Sequence, residues 1–302
     1  MTDDVLLDLP NGHELRAARA AVGTKHHKTA TIALALGGPA GLKLQTTYVD
    51  TDTLGTFTGE TPRTGGARQT AITKAEWACQ ESGLDLGLGS EGSFFPHPDV
   101  GFITMHIEHV GLTQPSTGLT IIGSAIGAAP WVQTRTLTPE ANLNAIADKL
   151  GELLASGTQR LIVRPDAETS ATTAEACDGI SKGIATIEHL RTAVDHAIGH
   201  SETGRVIVET DLRAHHCPPR HDLIHAAAQD LAQRLATRCP TCHSPGFGRQ
   251  ESRPGAPCAW CAGPTATLLQ HVYSCPACRY TEVETLPGSE SADPGTCPEC
   301  NP

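Results

Sequence analysis

Eight of the chain's eleven cysteines fall in four C-x-x-C pairs, all after residue 238: Cys239/Cys242, Cys258/Cys261, Cys275/Cys278 and Cys297/Cys300. A C-x-x-C turn presents two thiolates side by side. Two such turns offer Zn²⁺ four soft ligands in a closed tetrahedron. Fifteen residues separate the first pair from the second, and eighteen separate the third from the fourth. Both gaps fit the spacing of a zinc ribbon. Sequential pairing is therefore expected, first with second and third with fourth. A crossed arrangement, first with third and second with fourth, is the alternative. No coordination position is left open, so two zinc ions in structural roles are expected. Disulfides are the competing use of these cysteines, because a segment this short needs a staple of some kind. Nothing in the sequence marks secretion, which favours zinc.

The ribbon segment, 238–302, sets a boundary near Thr237. Before it, "PPRHDLIHAAAQDLAQRLA" reads as a helix with Pro219 in its first turn and one apolar face of Ile224, Ala227, Ala228, Leu231 and Leu235. Residues 1–237 alternate strand and helix patterns. Strands are expected at 19–23, 42–49, 84–90, 160–165 and 205–211. Helices are expected at 27–36, 65–82, 139–156 (capped by Thr138) and 184–198. Segments 102–110 and 118–126 read as an antiparallel pair around "TQPST". The fold class that follows is α/β, a mixed sheet flanked by helices, followed by a small double zinc ribbon.

Charge and hydropathy exclude some functions. The formal net charge is −11, which argues against non-specific binding to a phosphate backbone. The ribbon segment has four arginines (238, 249, 253, 279) against six acids (251, 282, 284, 290, 293, 299). Eight thiolates on two Zn²⁺ would add a surplus of four negative charges. Nucleic acid is thus disfavoured as a ribbon partner, and a protein partner stays open. No run of 18 apolar residues reads as a membrane span. The start, "MTDDVLLDLP", lacks the basic n-region of a secretory signal, so a cytoplasmic location is expected.

Polar clusters stand where strands are expected to end, which is where α/β sheets bind ligands. The stretch "DTDTLGTFTGETPR" (50–63) packs Asp50, Asp52, Glu60 and Arg63 among hydroxyl residues, with Gly55 and Gly59 leaving room for a ligand and Phe57 beside them. "SEGSFFPHP" carries Glu91. "ETDLRAHHCPPR" carries Glu209, Asp211, Arg213, His215 and His216. "GTKHHK" puts Lys25 and Lys28 at a strand-to-helix turn. Taken singly, each cluster reads as well as turn and cap residues or a solvated surface. Taken together, they offer oxygen ligands for Mg²⁺ or Mn²⁺ and donors for phosphate. The expected activity is that of a metal-dependent phosphohydrolase on a nucleotide-like substrate. Glu60, Glu91 and Asp211 would be catalytic, and Lys25, Lys28, Arg63, Arg213 and His215 would bind substrate. Asp50, Asp52 and Glu209 would hold magnesium. The alternative is a non-enzymatic binding module whose ribbons contact a protein.

The strings "DTDTLGTFTGETPR", "SEGSFFPHP" and "ETDLRAHHCPPR", with the ending "CPTCHSPGF…CAWC…CPAC…ADPGTCPECNP", resemble an uncharacterised bacterial family described as a domain of unknown function. The resemblance covers nearly the whole chain and implies no activity. A second similarity is to inosine/xanthosine triphosphate pyrophosphatases. "TKHHK", "GETPRTGGARQTAITKA", "GLGSEGSF" and "RAHHCPPR" follow the order of that family's phosphate turn, acidic segment, strand end and late basic turn. It implies that Lys25 or Lys28 touches phosphate, that Glu60 and Glu91 serve the metal, and that Arg213 and His215 meet base or phosphate. The chain departs from that pattern at the first turn, where His26 or His27 replaces Asn, and it lacks the Asn-Ala pair.

Overall fold

The computed structural model describes residues 6–25, 27–55, 65–97, 100–130, 132–138, 157, 159–166 and 179–301, with Asp52 described in its backbone alone. The expected helix at 139–156, together with Glu60 and Arg63, lies outside the described residues.

Among the described residues, three sheets are built in chain order. The first runs β2-β1-β3-β4-β5, with β1 (Arg19–Gly23), β2 (Lys43–Thr47), β3 (Gly87–Pro96), β4 (Thr104–Gln114) and β5 (Leu119–Ala128). β1 is parallel to both neighbours, and β3, β4 and β5 form an antiparallel meander. The sheet is therefore mixed. Central β1 (RAAVG) is buried at all but its first residue, as a strand covered on both faces must be.

Helices flank this sheet. α2 (Ala67–Ser82) lies on one face through Ala67, Ala71, Ala75, Ala78 and Cys79. Its close approach depends on glycine. A Cβ on Gly87 would stand 1.9 Å from the Ala75 carbonyl oxygen, and one on Gly89 2.3 Å from that of Ala71. The opposite face holds α1 (Thr29–Leu36) and α4 (Arg220–Ala236). There Val22, Leu88, Val110 and Leu112 pack with Ile32, Leu36, Ile224, Leu231 and Leu235 in one core.

Strands 160–165 and 205–211 do not extend that sheet. β6 (Thr134–Leu137), β7 (Arg160–Pro165), β8 (Ser181–Ile184) and β9 (Val206–Asp211) form a second, wholly antiparallel sheet in the order β6-β9-β7-β8. It has its own core because α3 (Ile187–Gly199) lays an apolar stripe of Leu190, Ala193, Val194 and Ala197 on Leu161, Val163, Val206 and Val208. The Thr186 hydroxyl caps α3 by accepting from the His189 N–H.

The ribbon segment is one antiparallel sheet, β10 (Gly248–Pro254), β11 (Leu268–Ser274) and β12 (Thr281–Thr285). It docks on the end of α4, where the Gly246 N–H donates to the Arg234 carbonyl at 2.9 Å. No helix among the described residues is long and apolar enough to cross a membrane.

Candidate functional sites

The cysteines form two groups of four, and the expected sequential pairing does not occur. Cys239 and Cys242 join Cys275 and Cys278, while Cys258 and Cys261 join Cys297 and Cys300. Strand direction is the reason. β10 and β11 run antiparallel with Gly248 opposite Ser274, so the knuckle before β10 meets the knuckle after β11. β12 brings Thr285 back opposite Gln270, so the chain after β12 arrives at the far end of the sheet, where the knuckle after β10 waits. The result is one sheet with a four-cysteine site at each end.

The local geometry suits a metal. Sγ atoms lie 3.7 Å apart in Cys239–Cys278, 3.6 Å in Cys242–Cys275, 3.8 Å in Cys258–Cys300 and 3.6 Å in Cys261–Cys297. Tetrahedral zinc with bonds of about 2.3 Å sets sulfur atoms about 3.8 Å apart. In three knuckles the residue after the second cysteine is left-handed: His243 (φ 61°), Ala262 (φ 60°) and Arg279 (φ 63°). Backbone N–H groups inside the knuckles also point at sulfur. Thr241 donates to Cys239 Sγ at 3.4 Å and Trp260 to Cys258 Sγ at 3.4 Å. Such donors favour the thiolate that a metal requires.

The second site lies where parallel β1 ends. Glu91 was expected just past a strand, yet it sits inside β3, because β4 pairs with β3 all the way from Gly87 to Pro96. Parallel β1 stops sooner, at Gly23 opposite Gly89. Glu91 thus lies just beyond the carboxyl end of β1, beside the turn that carries Lys28. Lys74 on α2 donates to Glu91 Oε2 at 2.5 Å.

On the other face of the same strands stands a group the sequence reading passed over. Glu108 on β4 is fully buried. Its Oε1 accepts from Arg220 Nε at 3.0 Å, from Arg220 Nη2 and from His106 Nε2 at 2.9 Å. Gly92 lies opposite Glu108 in the register, and a Cβ there would meet Arg220 Nη2 at 2.5 Å. Phe94 stacks on His106 at 4.4 Å, and the Arg220 guanidinium lies 5.5 Å from the Phe94 ring centre. Arg220 Nη1 also donates to the Leu212 carbonyl, tying the first turn of α4 to the end of β9. One sign was legible: His106 and Glu108, two residues apart, share one face of a strand that is otherwise largely apolar.

Two charged groups stand out here. Glu108 Oε2 is buried with no hydrogen-bond partner among the described residues. Lys28, at the N-cap of α1, is only 7 % exposed. Burial lowers its pKa from 10.5 to about 8, opposed by the attraction of Glu108 and reinforced by repulsion from Arg220. For Glu108, burial alone would push the carboxyl up. The charges of Lys28 and Arg220 and the His106 hydrogen bond outweigh it and hold the group far below the usual range.

The other expected residues fall nearby or elsewhere. Asp211 is fully buried. It accepts from Arg213 Nη2 at 2.6 Å and from the Gly183 N–H at 3.2 Å. The His215 and His216 rings lie 3.9 Å apart at a tilt of 48°, and burial followed by the His216 and Arg213 charges lowers the pKa of His215 to about 4. This group adjoins α1, since His221 bridges the Ala214 carbonyl and the Thr31 hydroxyl. Glu209 is held apart by Arg164 on the second sheet, Nε to Oε1 3.4 Å, and burial raises its pKa. Lys25 and Asp50 pair with each other at 3.3 Å near the surface. Among the described residues, Asp50 and Glu209 join no group of three or more candidate metal ligands; only the two cysteine groups do.

The family described as Domain of unknown function (DUF6671) matches residues 74–302. The chain belongs to that family. The match takes in Lys74, Glu91, Glu108, Asp211, Arg220 and all eight paired cysteines, and it begins after the turn that carries Lys28. No curated protein and no solved structure matches the chain. The similarity to inosine/xanthosine triphosphate pyrophosphatases has no counterpart among these findings.

Proposed function

We propose that this chain is a metal-dependent phosphohydrolase that takes a nucleotide-like phosphate beside Lys28, Glu108 and Arg220. The observation that carries the reading is a buried carboxylate oxygen, Glu108 Oε2, without a donor among the described residues, in the field of the largely buried Lys28. Leaving such a group unpaired costs about 1–3 kcal/mol or more. A phosphate with a bound divalent cation would suit both groups at once. An anionic oxygen would accept from Lys28, and Glu108 Oε2 would hold the cation. Mg²⁺ is commonly held by one or two carboxylates together with substrate phosphates, so one free carboxylate oxygen suits it. Held there, a divalent cation would supply charge neutralisation at the phosphoryl group and a more acidic bound water. Arg220 holds Glu108 in place and adds positive charge. Lys74 does the same for Glu91, which together with Asp211 remains a candidate for orienting water.

The test is Mg²⁺- and Mn²⁺-dependent release of phosphate or pyrophosphate from a panel of ordinary and deaminated nucleotides. Glu108→Gln and Lys28→Met should abolish release. If the wild type releases nothing and calorimetry detects no nucleotide binding, the reading fails.

The eight thiolates are read as holding two structural zinc ions, which suits a reducing, cytoplasmic compartment. A second reading, the ribbon as a protein-binding module, draws on the exposure of Trp260 at 79 % on the second knuckle. Pull-down with a Trp260→Ala control separates it from the enzyme reading.

A further inference from the structure

A cleft of about 420 Å³ opens between the last turns of α4 and the start of the ribbon sheet. Its size falls in the range of small-molecule sites, roughly 300–1,000 Å³. Asp230 and Arg234 line one wall, and Phe247, Arg249 and Tyr273 line the other. Phe247 and Tyr273 form an aromatic surface, with ring centres 6.1 Å apart and planes inclined by 26°.

The charge there opposes that of the whole chain. The protein carries −11 overall, but the cleft gathers guanidinium groups. Arg234 donates from Nε to Asp230 Oδ2 at 3.0 Å and from Nη2 to the Arg249 carbonyl. The same Asp230 oxygen accepts from the Ser124 N–H at 2.8 Å. Asp230 is therefore committed to Arg234 and the backbone. The Arg249 guanidinium lies 3.4 Å from the ring nitrogen of His271. Arg68, on α2, reaches over to Gln250 Oε1 at 3.0 Å. Burial and the Arg234 charge make its protonated form less favourable than usual. Two guanidiniums, those of Arg234 and Arg249, thus line the cleft beside one carboxylate that is already engaged, with Arg68 in the field of Arg234. Glu284 accepts from the Tyr273 hydroxyl, and Glu282 stands opposite Tyr273 in the register. Both attach to the β12 side of that residue.

We propose that this cleft binds a small planar anion, an aromatic ring bearing a phosphate or a carboxylate. The ring lies on Phe247 and Tyr273, and the anionic oxygens meet Arg249. Arg is the side chain suited to forked contact with either oxyanion, and aromatic faces take flat rings. This site is separate from the one beside Lys28. It also depends on the first cysteine site, since Phe247 follows Cys242 closely and Tyr273 precedes Cys275 by two residues.

The test is calorimetry and saturation-transfer NMR on the full-length, zinc-loaded chain. The probes are adenosine 5′-monophosphate, 2-naphthoate, adenosine and inorganic phosphate. At least one of the two ring-bearing anions should bind, with saturation transfer to its ring protons. Whichever binds tells phosphate from carboxylate as the anionic group. Adenosine and phosphate should bind at least tenfold more weakly. Arg249→Glu, on an exposed side chain, should weaken binding tenfold or more while zinc content stays unchanged. Phe247→Leu should reduce the ring signal, and Lys28→Met should leave cleft binding intact. The proposal is overturned if no probe binds at millimolar concentration, if Arg249→Glu binds as well as wild type, or if phosphate alone binds as tightly as the ring-bearing anions. Loss of all binding in Lys28→Met, or a clear preference for a single-stranded oligonucleotide, overturns it equally. Because the hydrolysis assay reads Lys28 and Glu108 and this one reads Arg249, either proposal can fail without the other.

Discussion

Lys28→Met should stabilise the protein while destroying its proposed activity. The lysine is buried, and its pKa falls from 10.5 to about 8. Each pKa unit corresponds to about 1.36 kcal/mol, so at pH 7 the fold carries the charged ammonium at a cost of about 3 kcal/mol. Methionine keeps most of the stem's volume and removes the charge. The variant should therefore gain up to about 3 kcal/mol at pH 7, and a stability gain coupled to lost function marks a site kept for ligand. The pH dependence follows from linkage. Below about pH 8 both states of the wild type are protonated at Lys28 and the penalty is complete. Between about pH 8 and 10.5 the unfolded chain binds more protons than the folded one, so wild-type stability rises relative to the variant and the gap closes. Urea unfolding followed by circular dichroism, with zinc present, at pH 7 and pH 10 gives both numbers. A loss of 1 kcal/mol or more at pH 7 would refute the reasoning and make Lys28 a structural partner of Glu108. A gap that ignores pH would refute it as well.

Arg220→Ala should cost about 3–5 kcal/mol, since it strands the Glu108 charge in the interior; adding Glu108→Gln should recover part of that loss in the same urea assay, and a single-variant cost under 1 kcal/mol would count against the pair. Crossed pairing predicts that Cys242→Ser with Cys278→Ser removes one zinc per chain, while Cys242→Ser with Cys261→Ser removes both under mild chelator competition. Elemental analysis with the opposite pattern would restore sequential pairing. Gly89→Ala forces a Cβ to 2.3 Å from the Ala71 carbonyl oxygen, so it should displace α2 and lower stability by about 1–3 kcal/mol, read as a fall in the urea midpoint.

Local chemistry alone determined much of this protein. Four C-x-x-C turns name their ligands because two cysteines with two residues between them on a tight turn are enough to present two thiolates. The alternating elements named an α/β fold with a mixed sheet, and the apolar faces of α2 and α4 were legible as periodic small and aliphatic residues. What stayed hidden depended on partners distant in the chain. Cysteine pairing followed from the antiparallel order of β10, β11 and β12, which no gap length encodes. The division into two sheets followed from which strands α3 covers. Glu91 read as a loop residue, and only pairing with β4 carried β3 through it. Glu108 and Arg220 lie 112 positions apart. Neither signals the other in sequence, and only the packing of α4 against β4 turns two ordinary charged residues into a buried pair with one oxygen left open.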